Sequence, residues 1–199
     1  MLEQRIQQHF IDSADLKYQS AQILSKPIAA AVQAVLASVT SGGKVLACGN
    51  GASASAAQQF VASFVGRFER ERPELGAIAL GADGAVVTSL SSHFGPDQVF
   101  AKQVRALGAP GDVLLALSTS GQSANVVAAI EAAHEREMTV VALTGRNGGP
   151  VGAALSDTDV HICVPHERTA RIHEVHTLAL HCICDGVDAQ LLGEQETPP

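Results

Sequence analysis

The sequence predicts an α/β fold in which helices cover both faces of a parallel sheet, giving a three-layer α/β/α sandwich. Short apolar segments alternate with longer amphipathic ones, and the short segments lack the polar alternation of a strand with one wet face. Each apolar segment is therefore predicted to be a strand that is covered on both faces. Five such strands are predicted, over residues 44–48, 76–80, 112–118, 139–144 and 159–164.

Helices are predicted where apolar residues recur with helical spacing. Between the strands they are expected over residues 53–68, 97–107, 123–137 and 151–155, and a long final helix is expected over 168–192. A pair of helices is predicted before the first strand, interrupted at Pro27 because proline removes a backbone donor. The 199 residues are expected to form a single domain, with N-terminal helices over 1–40, an α/β core over 44–192 and a flexible tail over 193–199.

The composition excludes several classes of function. With 13 basic and 20 acidic residues the net charge is −7, and no run of lysine and arginine occurs, so direct nucleic-acid binding is not expected. Neither a long uninterrupted apolar run nor a signal sequence is recognised, which predicts a cytoplasmic protein without a membrane segment. The four cysteines lack the paired spacing of a zinc site and are expected to be free thiols.

Two loops at the ends of predicted strands carry residues that are suited to binding a phosphate group. The first has the sequence CGNGASAS, in which Gly49 and Gly51 permit a tight turn and Ser53 lies near the start of the next helix. The second has the sequence LSTSGQSAN, and its hydroxyl groups belong to Ser118, Thr119, Ser120 and Ser123. Because ligands collect at the carboxyl ends of parallel strands, both loops are predicted to bind an anion through hydroxyl and backbone N–H groups.

Two other interpretations of these loops stay open. Either loop alone could be an ordinary serine- and glycine-rich turn that caps a helix. The first loop also approximates the dinucleotide-binding pattern G-x-G-x-x-A over residues 49–54, but this pattern leaves the second hydroxyl cluster unexplained. Only Glu69 and Glu71 lie near the spacing expected of a ribose-binding carboxylate, so a sugar phosphate is the better fit.

Four segments of the chain, GNGASA, LSTSGQSANVV, VVALTGRNGG and ARIHEVHTLALHCICD, carry a family resemblance. They resemble the SIS (sugar isomerase) domain family, namely the bacterial phosphoheptose isomerases and their relative, the DnaA initiator-associating protein. The resemblance covers essentially the whole chain and implies flavodoxin-like strand order, a homotetramer and sugar-phosphate sites between subunits. It implies that the phosphate and the sugar are bound by Asn50, Gly51, Ser53, Ser118, Thr119, Ser120 and Ser123.

The resemblance also implies where the isomerases place their chemistry. A histidine and a glutamate after the first loop, and a glutamine and a histidine on the last helix, hold zinc and move protons. In this chain the four positions are occupied by Gln59, Ser63, His173 and His181. An amide and a hydroxyl exchange no proton near neutral pH and are poor zinc ligands, so no catalytic residue and no cofactor are expected. His181 is the residual catalytic candidate, and zinc is expected only if the protein is an isomerase.

The remaining histidines give no clear replacement centre. At about 100° per residue, His173 and His181 project about 80° apart on the last helix, whereas His176 points to the other side of His173. His173 and His176 are therefore expected to be hydrogen-bonded or partly solvated imidazoles near a subunit contact, and Glu174 is expected to be structural. His93 stands where the family's loop carries an acidic residue.

Intact phosphate loops beside altered catalytic positions predict an adaptor instead of an enzyme. The segments RFERERP and CDGVDAQLL are similar to the DnaA-associating branch, and the resemblance assigns partner binding to Leu191 and Leu192. We therefore expect an oligomeric DnaA-associating regulator of replication initiation that binds a sugar phosphate such as sedoheptulose 7-phosphate. One alternative is a D-sedoheptulose 7-phosphate isomerase with a metal site rebuilt from His173, His181 and His93. The other is a sugar-phosphate sensor with a different partner.

Overall fold

Five strands form one parallel sheet in the computed structural model, which describes residues 1–193. They are β1 (Val45–Gly49), β2 (Ala77–Ala79), β3 (Val113–Ser118), β4 (Thr139–Gly145) and β5 (Val160–Val164). Their order across the sheet is β2-β1-β3-β4-β5, and every neighbouring pair runs parallel. This confirms the predicted fold class and the flavodoxin-like order.

The described residues hold seven α-helices, which surround the sheet. They are α1 (Leu2–Thr40), α2 (Ala52–Val65), α3 (Gly84–Phe94), α4 (Val99–Leu107), α5 (Ala124–Glu135), α6 (Gly149–Ala153) and α7 (Thr169–Leu192). A 3-10 turn, Pro96–Gln98, precedes α4 and accounts for the start of the helix predicted over 97–107. Five of the predicted helices, α2 and α4 to α7, are therefore present.

Helix α3 is absent from the prediction. None of its residues is fully buried, and its inner side, which carries Val87 and Leu90, is only partly covered by the core. Its start is fixed by Asp83, whose carboxylate accepts hydrogen bonds from the backbone N–H groups of Ala85 and Val86. The aspartate directly before the helix and the three-residue spacing of Val87 and Leu90 are signals that could have revealed it.

The predicted N-terminal helix pair is a single helix. Pro27 lies inside α1 and does not interrupt it, although its missing N–H leaves the carbonyl of Ile23 without the usual helical donor. The helix continues because its inner side packs along α7, and this packing outweighs one lost hydrogen bond. The contact is close at Gly186, where an added Cβ would lie 2.7 Å from a methyl group of Val32.

Two hydrophobic clusters lie on opposite faces of the sheet, as the three-layer prediction requires. The first joins β1 and β3 residues such as Leu115 with α1, α2 and α7, and it contains Phe64 and Ile183. The second joins the other face with α4, α5 and α6, and it contains Leu114 and Ile130. Each of these fully buried side chains stabilises the fold by about 1.5–3 kcal/mol.

Helix α1 bears on the predicted absence of a membrane segment. By length and composition α1 is the one helix of the described residues that could cross a membrane, and 28% of its most apolar segment is buried. Polar residues interrupt this helix, for example Lys26 and Gln33, so the sequence shows no uninterrupted apolar run there. A helix that packs on the core of a folded protein can have the same length and composition, so the observation is weak support for a membrane segment. Of the predicted tail, residues 194–199 lie outside the described residues.

Candidate active site

The two serine-rich loops lie side by side at one edge of the sheet. They follow β1 and β3, which are neighbours, and Gly49 pairs with Leu117 at the end of both strands. Their adjacency is part of the flavodoxin-like strand order that the resemblance implies. Helices α2 and α5 begin at the same edge, so their free N–H groups and the positive ends of their dipoles face the space between the loops.

The first loop has a backbone that only glycine permits at two positions. A Cβ added to Gly49 would lie 2.7 Å from Cβ of Ser53 and 3.0 Å from the carbonyl oxygen of Leu117. Gly51 has a φ of 55°, in the left-handed region that favours glycine. The N–H of Ser53 donates to the carbonyl of Asn50 at 3.0 Å, which closes the turn. Ser53 itself is only 4% exposed.

The second loop gathers its hydroxyl groups around Gly121. The Oγ atoms of Ser118 and Ser123 are 2.9 Å apart, and the N–H of Gln122 donates to Oγ of Ser120 at 3.1 Å. Gly121 has a φ of 67°, and a Cβ there would lie 2.1 Å from the carbonyl oxygen of Gly148. The loop is therefore pressed against the β4–α6 loop and held in one shape.

An amide pair joins the first loop to helix α5. The side chains of Asn50 and Asn125 exchange two hydrogen bonds of 2.9 Å each. Beside this pair lies a cleft of about 270 Å³, lined by both asparagines and by Val99 and Phe100 on α4. A volume of this size with polar groups at one rim is suited to a small polar metabolite.

A second part of the candidate site lies between α2 and α7. Gln59 and Ser63 on α2 face Thr177 and His181 on α7 across a narrow seam. The amide nitrogen of Gln59 lies 3.4 Å from Nε2 of His181. Three of the four positions implied by the resemblance are thus brought together, although the seam carries one imidazole and no carboxylate.

The other histidines of α7 serve different purposes. His176 is fully buried and donates from Nε2 to the carbonyl of Thr144 at 2.9 Å. Burial lowers the pKa of His176 to about 4, so its ring is neutral at physiological pH and its role is structural. This confirms the expectation of a hydrogen-bonded imidazole. The ring of His173 lies edge-on to that of His176, and partial burial lowers the pKa of His173 as well.

His93 does not join His181 within one chain. It lies in the last turn of α3, where its Nδ1 is 2.8 Å from the carbonyl oxygen of Ser89. Helix α3 packs with α4 on one face of the sheet, whereas α7 packs on the opposite face. A metal site built from His173, His181 and His93 of one chain therefore has no support in the fold.

The side chains of the seam do not form a zinc-binding set. Among residues 1–193, no group of three or more histidine, cysteine, aspartate or glutamate side chains is placed to hold a metal. Cys184 lines the seam, but burial raises the pKa of its thiol to about 12, so it is protonated. The amide of Gln59 and the hydroxyl of Ser63 do not replace an imidazole and a carboxylate. As they stand, these residues do not fit zinc.

Comparison with known proteins identifies the family. The sequence profile of the SIS domain family matches residues 9–145. The chain belongs to this family. A phosphoheptose isomerase from Methylibium petroleiphilum is 70% identical over 196 residues, which covers 98% of each chain. A phosphoheptose isomerase from an Azoarcus species is 58% identical over 192 residues, covering 96% of this chain and 98% of that one.

Solved structures of SIS domain proteins agree with this assignment. A phosphoheptose isomerase from Neisseria gonorrhoeae superposes with a TM-score of 0.90 at 49% identity, covering 95% of this chain and all of that one. One from Francisella tularensis superposes with a TM-score of 0.91 at 43% identity, covering 94% and 98% of the two chains. Within the SIS domain family, the chain therefore belongs to the phosphoheptose isomerase group.

These relatives correct three predictions. The predicted function, a DnaA-associating regulator that is not an enzyme, is wrong, because relatives that match the whole chain are named phosphoheptose isomerase. Assignment to the DnaA-associating branch is likewise not supported. The prediction that no cofactor is needed is wrong with it, since the resemblance gives zinc to this group. That prediction rested on the changed side chains at the catalytic positions, Gln59, Ser63 and His173, and these changes do not outweigh similarity along the entire sequence.

The residues predicted to bind a partner protein lie at the end of α7. Leu191 and Leu192 are each 37% exposed there, and their assignment to a partner surface stays a prediction.

The sequence did not predict two polar residues of the site, Asn125 and Thr177, which lie beside the predicted residues. Asn125 lies in the segment LSTSGQSANVV, two residues after Ser123, and a polar side chain in the first turn of the helix was an available signal.

Proposed function

We propose that the protein is a D-sedoheptulose 7-phosphate isomerase, which moves the carbonyl group of a phosphorylated seven-carbon sugar between C2 and C1. The observation that carries the proposal is the 70% identity to a phosphoheptose isomerase along 98% of the chain. The paired hydroxyl loops support it, because they offer a neutral cradle for the phosphate at a place where two helices begin.

We assign phosphate and sugar binding to the two loops. The residues are Asn50, Gly51, Ser53, Ser118, Thr119, Ser120 and Ser123. The contact of 2.9 Å between Ser118 and Ser123 and the burial of Ser53 support this, since an anion needs donors that are already oriented. The cleft beside Asn50 and Asn125 would then hold part of the sugar chain.

The isomerisation requires proton transfers that the seam could carry out. From the ketose, a proton leaves C1, the resulting enediol receives a proton at C2, and the hydroxyl protons are redistributed between O1 and O2. His181 is the one imidazole of the seam and can accept and return a proton. Gln59 contacts its Nε2 and orients the ring, and Ser63 adds a hydroxyl. Since the residues do not fit zinc, no step is derived through a metal.

We further propose that the chain is a single domain that assembles as a homotetramer in the cytoplasm. The exposed apolar side chains of α1 support assembly, since Leu2, Phe10 and Tyr18 are 73%, 74% and 79% exposed. The four cysteines are all free thiols, which is consistent with a reducing compartment. Shared packing of α1 and α7 on one face of the sheet supports one domain.

The decisive experiment is an assay of purified, untagged protein with sedoheptulose 7-phosphate, following the heptose phosphate formed. We expect the wild type to convert the substrate. The Ser118→Ala/Ser123→Ala variant should be at least about tenfold slower, because it loses contacts with the phosphate. Ser92→Ala, an exposed serine of α3, is the matched control. Binding of the sugar phosphate without conversion would contradict the isomerase and favour a sensor.

A further inference from the structure

Arg72 is a fully buried cation in the segment RFERERP, between α2 and β2. Its side chain is 0% exposed, and its Nε forms an ion pair of 2.5 Å with Asp188 of α7, which is 2% exposed. A buried arginine is tolerated only when its donors are satisfied. The hydrogen-bond partners of Arg72 therefore identify the elements of the fold that it links.

The rest of the guanidinium binds the end of α2. One terminal nitrogen donates to the carbonyl of Phe64 at 2.9 Å, and the other donates to the carbonyl of Ser63 at 3.0 Å. Carbonyls in the last turn of a helix have no helical donor, and a cation there also complements the helix dipole. Arg72 thus links the last turn of α2 to α7 through one rigid planar group.

This link lies at one end of the seam that contains His181. Asp188 follows His181 by two turns of α7, which places both within about 20° on the same face of the helix. Ser63 follows Gln59 by one turn of α2. The two helices run side by side along the seam, so a shift of the Arg72–Asp188 link moves Gln59 relative to His181.

We propose that Arg72 and Asp188 form a positioning pair for the isomerisation, setting the separation of Gln59 and His181. The proposal rests on the function proposed above. Arginine is required because its fork reaches two carbonyls and a carboxylate at once, whereas a lysine offers a single point charge. Because both side chains are buried, at 0% and 2% exposure, neither is placed to touch a substrate, and both act by holding two helices in register.

The first test compares Arg72→Lys and Asp188→Asn with the wild type. Both variants are expected to lower kcat at least about tenfold while KM for sedoheptulose 7-phosphate changes less than about threefold. KM is spared because the phosphate loops lie at the opposite end of α2. A fall in melting temperature with unchanged kcat per folded molecule would show a purely structural pair and overturn the proposal.

Two control variants separate positioning from general loss of stability. Ile130→Val removes one methyl group from the core on the other face of the sheet and is expected to lower the melting temperature with kcat unchanged. Arg105→Lys alters an exposed ion pair with Glu135 and is expected to change neither quantity. If Ile130→Val lowered kcat as much as Arg72→Lys, the positioning role would be refuted.

A second measurement does not depend on activity. The ¹⁵N resonances of the His181 ring report its tautomer and its hydrogen bonds, and these resonances are expected to shift in Arg72→Lys but not in Arg105→Lys. Unchanged His181 resonances would overturn the proposal even if kcat fell. If the wild type shows no isomerase activity, the proposed function fails, yet this spectrum still decides whether Arg72 positions the seam. Should Arg72→Lys fail to fold, Asp188→Asn gives the same comparison, because it keeps the size of the side chain.

Discussion

Asn50 and Asn125 form a closed amide pair whose two hydrogen bonds, each 2.9 Å long, connect the loop after β1 to the first turn of α5. The two residues are 75 positions apart in the chain. The pair therefore fixes the distance between the two serine-rich loops, and it leaves the remaining lone pairs of both amides available to a ligand in the adjacent cleft.

Breaking this pair is expected to weaken substrate binding more than it slows the chemistry. In Asn125→Ala, the first loop loses its partner, and KM for sedoheptulose 7-phosphate should rise about tenfold with kcat changed less than threefold. Asn125→Asp should raise KM further, because it removes one donor and places a negative charge near the bound phosphate. Steady-state kinetics check both, with Gln190→Ala, exposed on α7, as the control. Equal KM values for Asn125→Ala and the wild type would contradict the coupling.

Glycine at position 121 is expected to be needed for more than its backbone angle. Gly121→Ala and Gly42→Ala both place a Cβ at positive φ, 67° and 82°, which costs about 1–2 kcal/mol. Only at Gly121 would the Cβ also meet a backbone atom, the carbonyl oxygen of Gly148 at 2.1 Å, whereas nothing lies within 4 Å at Gly42. Urea denaturation should therefore show a larger loss of stability for Gly121→Ala. Equal losses of stability in the two variants would mean that the loop can move away from the added methyl group without a further loss of stability.

The buried imidazole of His176 predicts a loss of stability in acid. Its pKa is lowered by burial to about 4 from an ordinary value of 6.5, so below pH 6.5 the unfolded chain takes up a proton that the folded protein does not. The free energy of unfolding should fall between pH 6.5 and about 4, by about 3 kcal/mol from this residue. Below about pH 4 the ring is protonated in both the folded and the unfolded protein, so this residue causes no further change in the free energy of unfolding.

Urea denaturation at several pH values tests this, with His176→Gln compared to the wild type. The variant is expected to be less stable at pH 7 and to have a flatter pH profile, since glutamine does not titrate. Burial also lowers the pKa of His161, which adds a slope of the same sign to both proteins. A variant with an unchanged slope would show that the acid sensitivity comes from elsewhere.

Restoring ligand side chains to the seam should create a zinc site. In Gln59→His/Ser63→Glu, an imidazole and a carboxylate one turn apart on α2 would face His181, whose Nε2 already lies 3.4 Å from the amide of Gln59. Zinc affinity measured by calorimetry should rise at least about tenfold over the wild type, and chelation should reverse any gain in kcat. Gln58→His/Ala62→Glu, with the same spacing on the exposed side of α2, is the control. Equal affinities in the two double variants would argue against the seam as a metal position.

Much of the fold could be predicted because burial leaves a direct trace in the sequence. Strands β1 and β3 are buried along their whole length and read as unbroken apolar segments. The two loops were recognised because hydroxyl groups and glycines cluster at strand ends. In contrast, α3 buries no residue fully, and α1 continues through Pro27 only because α7 packs against it, which local pattern does not reveal.

The parts of the site that escaped prediction depend on contacts between distant segments. Nothing near Asn125 in the sequence indicates Asn50 as its partner. Of the arginines in RFERERP, only the structure shows that Arg72 is buried whereas Arg67 is exposed. The functional error had a different cause: the changed catalytic positions, Gln59, Ser63 and His173, indicated a loss of activity, although the assignment depends on similarity along the whole chain.

The continuity of α1 has a consequence for how the protein responds to dilution. A helix of 39 residues is roughly 58 Å long, and its buried side chains begin only at Leu16. An isolated helical segment of a dozen residues is marginally stable in water, so the first turns hold their shape only when another surface covers their apolar side chains. Hydrogen exchange in this segment should therefore slow as protein concentration rises, while exchange in β3 stays constant. Folding of the N-terminal turns and association would then be a single equilibrium.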